Sequence, residues 1–283
     1  MKRGLVLEGG AMRGLFTSGI LDVMLDAGIE FDGMIGVSAG AAFGCNYKSR
    51  QQGRAIRYNK RFARDQRYCG WQSWLKTGNL YNAEFGYHII PTQYDIFDDA
   101  AYDANPMAFY VVCTDVETGK PVYKRLDKAT PLTYDWIRAS ASMPLVSKVV
   151  ELEGKKVLDG GVGDSIPLAY FESIGYERNV VILTQPEGYV KEHNRLMPLM
   201  RIALRKYPQM IKAMNQRHIM YNRELAYVRE AEQTGRCLVI RPEEKLPIGH
   251  FSHDPKEMQH VYDIGIESGH KNIEKIKRFL SSA

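Results

Sequence analysis

Apolar positions along this chain switch between two periods, and the order of the switches predicts the fold. Lys2 to Leu7 reads as a short buried strand, followed by glycines and then by Met12 to Ala27, where Leu15, Ile20, Val23, Met24 and Ala27 recur at helical spacing. Gly33 to Val37 is a second apolar run of strand length, and Ser38 begins another helix-like stretch with Ala39, Ala41, Ala42 and Phe43. Strand, helix, strand, helix in this order predicts a parallel sheet. From Lys48 to Asp103 the pattern turns polar and aromatic, which predicts helices and loops inserted above the sheet.

Met107 to Thr114 and Pro121 to Leu126 read as strands joined through Glu117-Thr118-Gly119-Lys120, a glycine-containing connection suited to a hairpin, so the sheet is expected to carry one antiparallel element. Thr130-Pro131 opens a helix that must stop near Met143, because Pro144 cannot continue it. A strand pair is expected around Val149 and Val157, and further strands at Val180 to Thr184 and Arg236 to Ile240. Arg195 to Gln233 and Asp254 to Leu280 read as helical. No internal repeat or linker-like composition interrupts the chain.

Composition narrows the class. With 283 residues, 45% hydrophobic and 25% charged, the chain can bury a sizeable core and falls in the range of ordinary globular proteins. Met1-Lys2-Arg3 resembles a signal-peptide start, but Leu5-Val6-Leu7 is cut off by Glu8 and two glycines, so no export signal is expected. Cys45, Cys69, Cys113 and Cys237 are scattered without the spacing of a zinc site or disulfide scaffold, which favours a reducing cytoplasm. A net charge of +5 favours anionic partners, lipid head groups and nucleic acid alike.

Three segments carry chemistry. Gly36-Val37-Ser38-Ala39-Gly40 lies between a predicted strand and a predicted helix, the setting of a nucleophile elbow, with Gly36 and Gly40 where strand and helix backbones approach. Glu8-Gly9-Gly10-Ala11-Met12-Arg13-Gly14 also joins strand to helix, and its backbone N–H groups can converge on an anion. A dinucleotide fingerprint fits it poorly, because Ala11 stands where that motif needs glycine. In Leu158-Asp159-Gly160-Gly161-Val162-Gly163-Asp164 an acid leaves a strand into a glycine loop, either as a turn former or aimed back at Ser38.

In this order the three segments resemble the patatin-like phospholipase family, as does Ala139-Ser140-Ala141-Ser142-Met143-Pro144 ahead of the acid. The resemblance implies an α/β protein, with a three-layer α/β/α patatin-like fold, a mainly parallel central sheet and a helical C-terminal part. Residues 3–185 would form the catalytic domain, and residues 186–283 a mostly helical region packed on the same domain. By position it implies Ser38 as nucleophile and Asp159 as its acid partner. Gly9, Gly10 and Ala11 would be oxyanion donors, with Arg13, Gly14 and Ala39 in the same substrate-binding part and Gly36, Gly40, Gly160 and Gly161 as motif glycines. An alanine at position 11 is expected to donate provided its φ stays negative.

The activity so implied is a serine lipid acyl hydrolase that needs neither cofactor nor metal. Its expected partners are a lipid or phospholipid acyl ester and, peripherally, the anionic inner face of a membrane, with no nucleic acid. Two other readings stay open at this level. One is a Ser-Asp-His esterase whose base is His250 or His253. The other is a non-catalytic basic module for nucleic acid or anionic lipid. Arg50, Arg54, Arg57, Arg61 and Arg64 alternate at four and three residues, so a helix there presents either a lipid-phosphate stripe or a solvated face. The later helical region is basic through Lys206, Lys212, Arg217, His218 and Arg223. Its Leu199, Met200, Ile202, Met210, Ile211 and Met214 are expected to pack rather than touch lipid.

Overall fold

The computed structural model describes residues 1–68, 70, 73, 78–80 and 82–281. Cys69 lies outside them. The chain begins with β1 (Lys2–Leu7), a 3-10 turn (Ala11–Arg13), α1 (Gly14–Asp26), β2 (Gly33–Val37), α2 (Ala39–Lys48) and α3 (Arg54–Phe62). A π-helix (Phe85–Tyr94) and α4 (Asp99–Ala104) lead to β3 (Ala108–Asp115), β4 (Pro121–Arg125) and α5 (Pro131–Ser140). Then come β5 (Val150–Leu152), β6 (Lys155–Asp159), a second 3-10 turn (Gly160–Val162), α6 (Leu168–Ser173) and β7 (Tyr176–Ile182). The remainder is α7 (Met197–Ala203), α8 (Pro208–Gln233), β8 (Cys237–Ile240) and α9 (Pro255–Ser281).

These strands form one sheet in the order β5-β6-β3-β2-β1-β7-β8, with β4 also paired to β3. The run from β3 through β2, β1 and β7 to β8 is parallel. Both β4 and β6 run against β3, and β5 runs against β6. The antiparallel part is therefore three strands rather than the single expected element, because the short β5–β6 hairpin also joins the sheet.

Strand residues alternate between two separate cores. Leu5, Leu7, Met34, Val180, Ile182, Leu238 and Ile240 point into one, which also holds Leu15 and Phe16 of α1 and Val261 and Ile276 of α9. Val6, Ile35, Val181 and Val239 point into the other, against Phe171 of α6 and Tyr221 and Val228 of α8. Helices therefore cover both faces, giving the three-layer α/β/α architecture. Burial on both faces also explains why these strands read as continuous apolar runs without alternating polar residues. Because β8 is an outer strand of the same sheet and α9 packs on α1, the C-terminal hundred residues share both cores with the N-terminal part.

Local signals set the element ends. Thr130 caps α5 by accepting from the Thr133 N–H at 3.2 Å, with Pro131 in the first turn, and the helix stops at Ser140, three residues before Met143. In the segment the sequence left unparsed, α3 places its arginines differently from the expected stripe. Arg54 is buried and, with Arg57, pairs with Asp95; Arg50 lies outside the helix on Glu30, and Arg61 donates to the Tyr94 carbonyl. Arg54, Arg57 and Arg61 tie α3 to the end of the π-helix, so these three do not form a free stripe.

Candidate active site

The sheet register brings two of the marked residues together. Val37 of β2 stands opposite Val112 of β3, and Asp159 at the end of β6 stands opposite Cys113, the next residue of β3. Ser38 follows Val37 directly, so hydroxyl and carboxyl meet over one point of β3. Both are nearly enclosed, with Ser38 8% and Asp159 4% exposed.

Ser38 occupies φ 54°, ψ −120°, a sparsely populated conformation that costs a non-glycine residue of order 1–3 kcal/mol. Three contacts hold it there. Its N–H donates to Ser140 Oγ at 2.9 Å, which itself donates to the Val112 carbonyl at 2.6 Å. Gly40 runs so close to β1 that a Cβ there would stand 2.5 Å from the Leu7 carbonyl oxygen. Gly9 passes Ser38 itself, where a Cβ would meet the Ser38 Cβ and the Val37 carbonyl at 3.0 Å. Glycine at position 40 is thus a requirement of close approach, and glycine at position 9 avoids a tight contact.

Asp159 Oδ1 accepts from the Gly161 N–H at 2.8 Å, while Oδ2 is buried without a hydrogen bond of full geometry. Burial pushes its pKa above the ordinary value of 3.8, and the Arg217 guanidinium, the Ser38 hydroxyl, the Gly161 N–H and Lys191 pull against that shift. The result is a carboxylate more basic than a solvated one, with one oxygen uncommitted.

Among the described residues the N–H groups of Gly9, Gly10, Ala11 and Ala39 find no protein acceptor. Ala11 takes φ 50°, against the negative φ expected of an alanine donor. The loop turns through a left-handed position that glycine would occupy freely, and the alanine there carries about 1 kcal/mol of strain. Its N–H nonetheless remains without an acceptor, beside Ser38 in the lining of a cavity of about 300 Å³. Ala11, Phe43, Tyr58, Tyr87, Met143 and Phe251 give that cavity an apolar wall.

The two histidines of the rival triad have partners outside the dyad. His250 Nε2 accepts from Arg13 Nη1 at 2.8 Å, and partial desolvation and the cations Arg13, Lys191 and Arg217 push its pKa down to about 4. His253 bonds the Ala63 carbonyl at 3.0 Å.

The sequence reading missed how α8 supports the site. Arg217, Tyr221 and Glu224 follow at spacings of four and three, so they share one helix face. Arg217 Nε donates to the Gly161 carbonyl at 2.5 Å and Tyr221 donates to Glu8 at 2.5 Å. Glu224 accepts from the N–H groups of Ser165 and Ile166 at 3.1 Å, just past the Asp159 loop. Burial and the adjacent Asp164 push the Glu224 pKa above its usual range, and Asp164 accepts from Tyr123 at 2.7 Å. Glu8, only 2% exposed and raised in pKa by burial, also takes the Thr184 N–H. The 4-3 spacing of polar residues was the available signal, but solvent-facing helix surfaces show it as well.

Comparison with known proteins matches residues 5–172 to the model described as patatin-like phospholipase, more than half of the chain. The chain belongs to the patatin-like phospholipase family. Residues 207–281 of this family member match a second model, described as a domain of unknown function, DUF6363. Among curated relatives, the uncharacterized protein YjjU of Escherichia coli is 34% identical over 191 residues, 64% of this chain and 52% of that protein. The lysophospholipase nte1 of Aspergillus terreus is 25% identical over 297 residues, 97% of this chain and 18% of that protein. The chain thus spans about half the length of the first and under a fifth of the second. VipD from Legionella pneumophila aligns over 97% of this chain and 67% of its own, with a TM-score of 0.45 and 12% identity. Membership supports lipid acyl hydrolysis in general terms. No described helix is long and apolar enough to cross a membrane, and no group of three or more metal-ligating side chains occurs among the described residues.

Proposed function

We propose that this chain hydrolyses acyl esters of lipids through a Ser38-Asp159 dyad. The observation that carries the reading is a strained, buried serine beside a buried carboxylate that has one oxygen free. Asp159 takes the Ser38 proton as Oγ attacks the ester carbonyl, and the oxyanion forms against the N–H groups of Gly9, Gly10 and Ala11, with Ala39 at the start of α2. Arg13 and Gly14 carry that loop into α1. The leaving alcohol takes the proton from Asp159; water, deprotonated by the same carboxylate, then attacks the acyl-serine, and Asp159 returns the proton to Ser38 Oγ as the fatty acid leaves. The apolar cavity beside Ser38 suits the acyl chain.

In the test, purified protein is labelled with a fluorophosphonate and mapped by peptide mass. One adduct, on Ser38, supports the dyad; an unlabelled, folded protein would count against it. Ser140→Ala probes the support of the elbow. Losing its bonds to Ser38 N–H and the Val112 carbonyl is expected to lower kcat about 10-fold and stability by about 1–2 kcal/mol, read by ester kinetics and thermal melts.

We take residues 186–283 as part of the same domain, supported by β8 in the sheet. A cytoplasmic location at the inner membrane face accords with Cys45, Cys113 and Cys237 being free and buried. The membrane-facing element in this reading is α7 with the loop before it. Contrary to the packing expected from sequence, only one face of α7 packs: Met197, Met200 and Leu204 are buried, while Leu199 and Ile202 are 52% and 69% exposed. Val190 and Leu196 are likewise 67% and 55% exposed, and Arg195, Arg201, Arg205 and Lys206 are exposed around them. An apolar ridge framed by cations matches an anionic interface. The pair Leu199→Glu and Ile202→Glu should weaken cosedimentation with phosphatidylglycerol vesicles more than about 10-fold, at unchanged circular dichroism. Equal pelleting would rule this face out.

A further inference from the structure

A second recess, of about 380 Å³, opens between the loop before α7 and the α8 face that supports the dyad. Lys191, Glu192, Asn194, Arg217 and His218 line it, with Tyr189. Gly161 links it to Asp159. Arg217, in its wall, donates to the carbonyl of Gly161, whose N–H holds Asp159. Lys191 and Arg217 both act on the Asp159 charge, and Arg13, two residues past Ala11, acts on Lys191.

The charge of this region is unbalanced. Among the described residues, Arg13, Lys191 and Arg217 have no carboxylate within 4.0 Å, unlike the arginines of α3. Burial, then Arg217 and Arg13, push the Lys191 pKa down to about 8, against the pull of Glu8 and Asp159. Arg13 Nε and His218 Nδ1 are buried without a hydrogen-bond partner. Glu192 is the acid at the recess, but it is exposed and leans to Arg195 at 3.8 Å. Three cations with no carboxylate in contact, and only Glu8 and Asp159 acting on them at longer range, form an arrangement that a multiply charged anion relieves.

Position gives the anion its chemistry. With the acyl chain in the apolar cavity and the ester carbonyl over Ser38, the recess beside Asp159 is available to the alcohol side of the ester. Guanidinium and ammonium donors fit phosphate oxygens. A choline head group would bring a further cation against Lys191 and Arg217.

We infer that this recess binds the phosphate monoester of a glycerophosphate leaving group, making phosphatidate-type acyl esters preferred over choline-bearing and neutral ones. The inference rests on the hydrolase reading above. It gives the C-terminal region, through Lys191 and Arg217, a role in specificity.

The test compares 1-oleoyl-glycerol 3-phosphate, 1-oleoyl-glycerophosphocholine and 1-oleoylglycerol in the same mixed micelles with the full chain. The expected kcat/KM for the phosphate monoester is at least about 10-fold above the other two. In Lys191→Gln and Arg217→Gln that ratio should fall towards unity, mainly through KM, whatever happens to turnover on the neutral ester. Calorimetry of Ser38→Ala with glycerol 3-phosphate adds a readout without catalysis, with binding expected and its loss in the doubly substituted Ser38→Ala, Lys191→Gln protein. Thermal melts identify any variant that fails to fold, and Lys191→Gln, which leaves the Arg217–Gly161 bond in place, keeps the test open if Arg217→Gln is such a variant. Equal turnover of all three lipids, with no glycerol 3-phosphate bound, would overturn the subsite and leave the hydrolase reading standing. Binding of glycerol 3-phosphate without lipid discrimination would assign the recess to a soluble phosphate, which also overturns the lipid preference. Turnover of none of the three would sink the hydrolase reading itself.

Discussion

Ser38→Ala should lower ester turnover by about 10⁴-fold or more while the protein keeps its fold. The side chain is placed for reaction rather than support. The anchoring contacts of the elbow belong to its backbone, through Ser140 Oγ, and to Gly40 against β1. Alanine keeps those contacts and the Cβ, so the melting free energy should move by no more than about 1 kcal/mol. Initial rates on a chromogenic short-chain ester, with circular dichroism melts, check both halves. A variant that retains a tenth of wild-type turnover would remove Ser38 from the mechanism.

Asp159→Asn is the second large effect, and it separates activity from stability. The amide oxygen can still accept from the Gly161 N–H, but the group no longer takes the serine proton. A loss of about 10³–10⁴-fold in kcat is expected. Stability should be equal or higher at neutral pH. Because burial raises the folded pKa, the ionised carboxylate destabilises the native state, and the wild type recovers that stability only where Asp159 is protonated. The advantage of Asp159→Asn should therefore grow as pH rises through the raised pKa and vanish in acid. In the wild type, kcat/KM should fall with falling pH at a midpoint above 3.8, the ordinary aspartate value. A less stable Asp159→Asn protein at neutral pH, or a limb at or below that value, would contradict the carboxylate's assigned state.

Glu8 and Arg217 show where reading by motif stops. Each is an ordinary charged residue in the sequence, one in a strand-to-loop step and one on a basic helix. Glu8 becomes a buried acceptor for Thr184 and Tyr221, and Arg217 holds the Gly161 carbonyl, because α8 crosses the sheet face above them. The α3 arginines show the reverse. Their even spacing suggested one shared surface, but Asp95 at the end of the π-helix draws Arg54 inward and pairs with Arg57, whose side chain stays exposed. Spacing specifies which side chains share a helix face and says nothing of what that face meets.

Sequence alone determined the parallel α/β sheet, the strand-turn-helix setting of Ser38 and the strand-to-loop setting of Asp159. These depend on period, glycine placement and neighbours within a few residues. Tertiary structure alone decided that Asp159 lies one β3 residue beyond Ser38's strand, that Ala11 turns left-handed, and that His250 faces Arg13. It also decided that Lys191 and Arg217 line one recess, that among the described residues neither they nor Arg13 has a carboxylate within 4.0 Å, and that α7 leaves an apolar ridge exposed. Each of these follows from pairing and packing between residues far apart in the chain, and desolvation, which pushes the Asp159 pKa up and the Lys191 pKa down, exists only once those elements have closed around them.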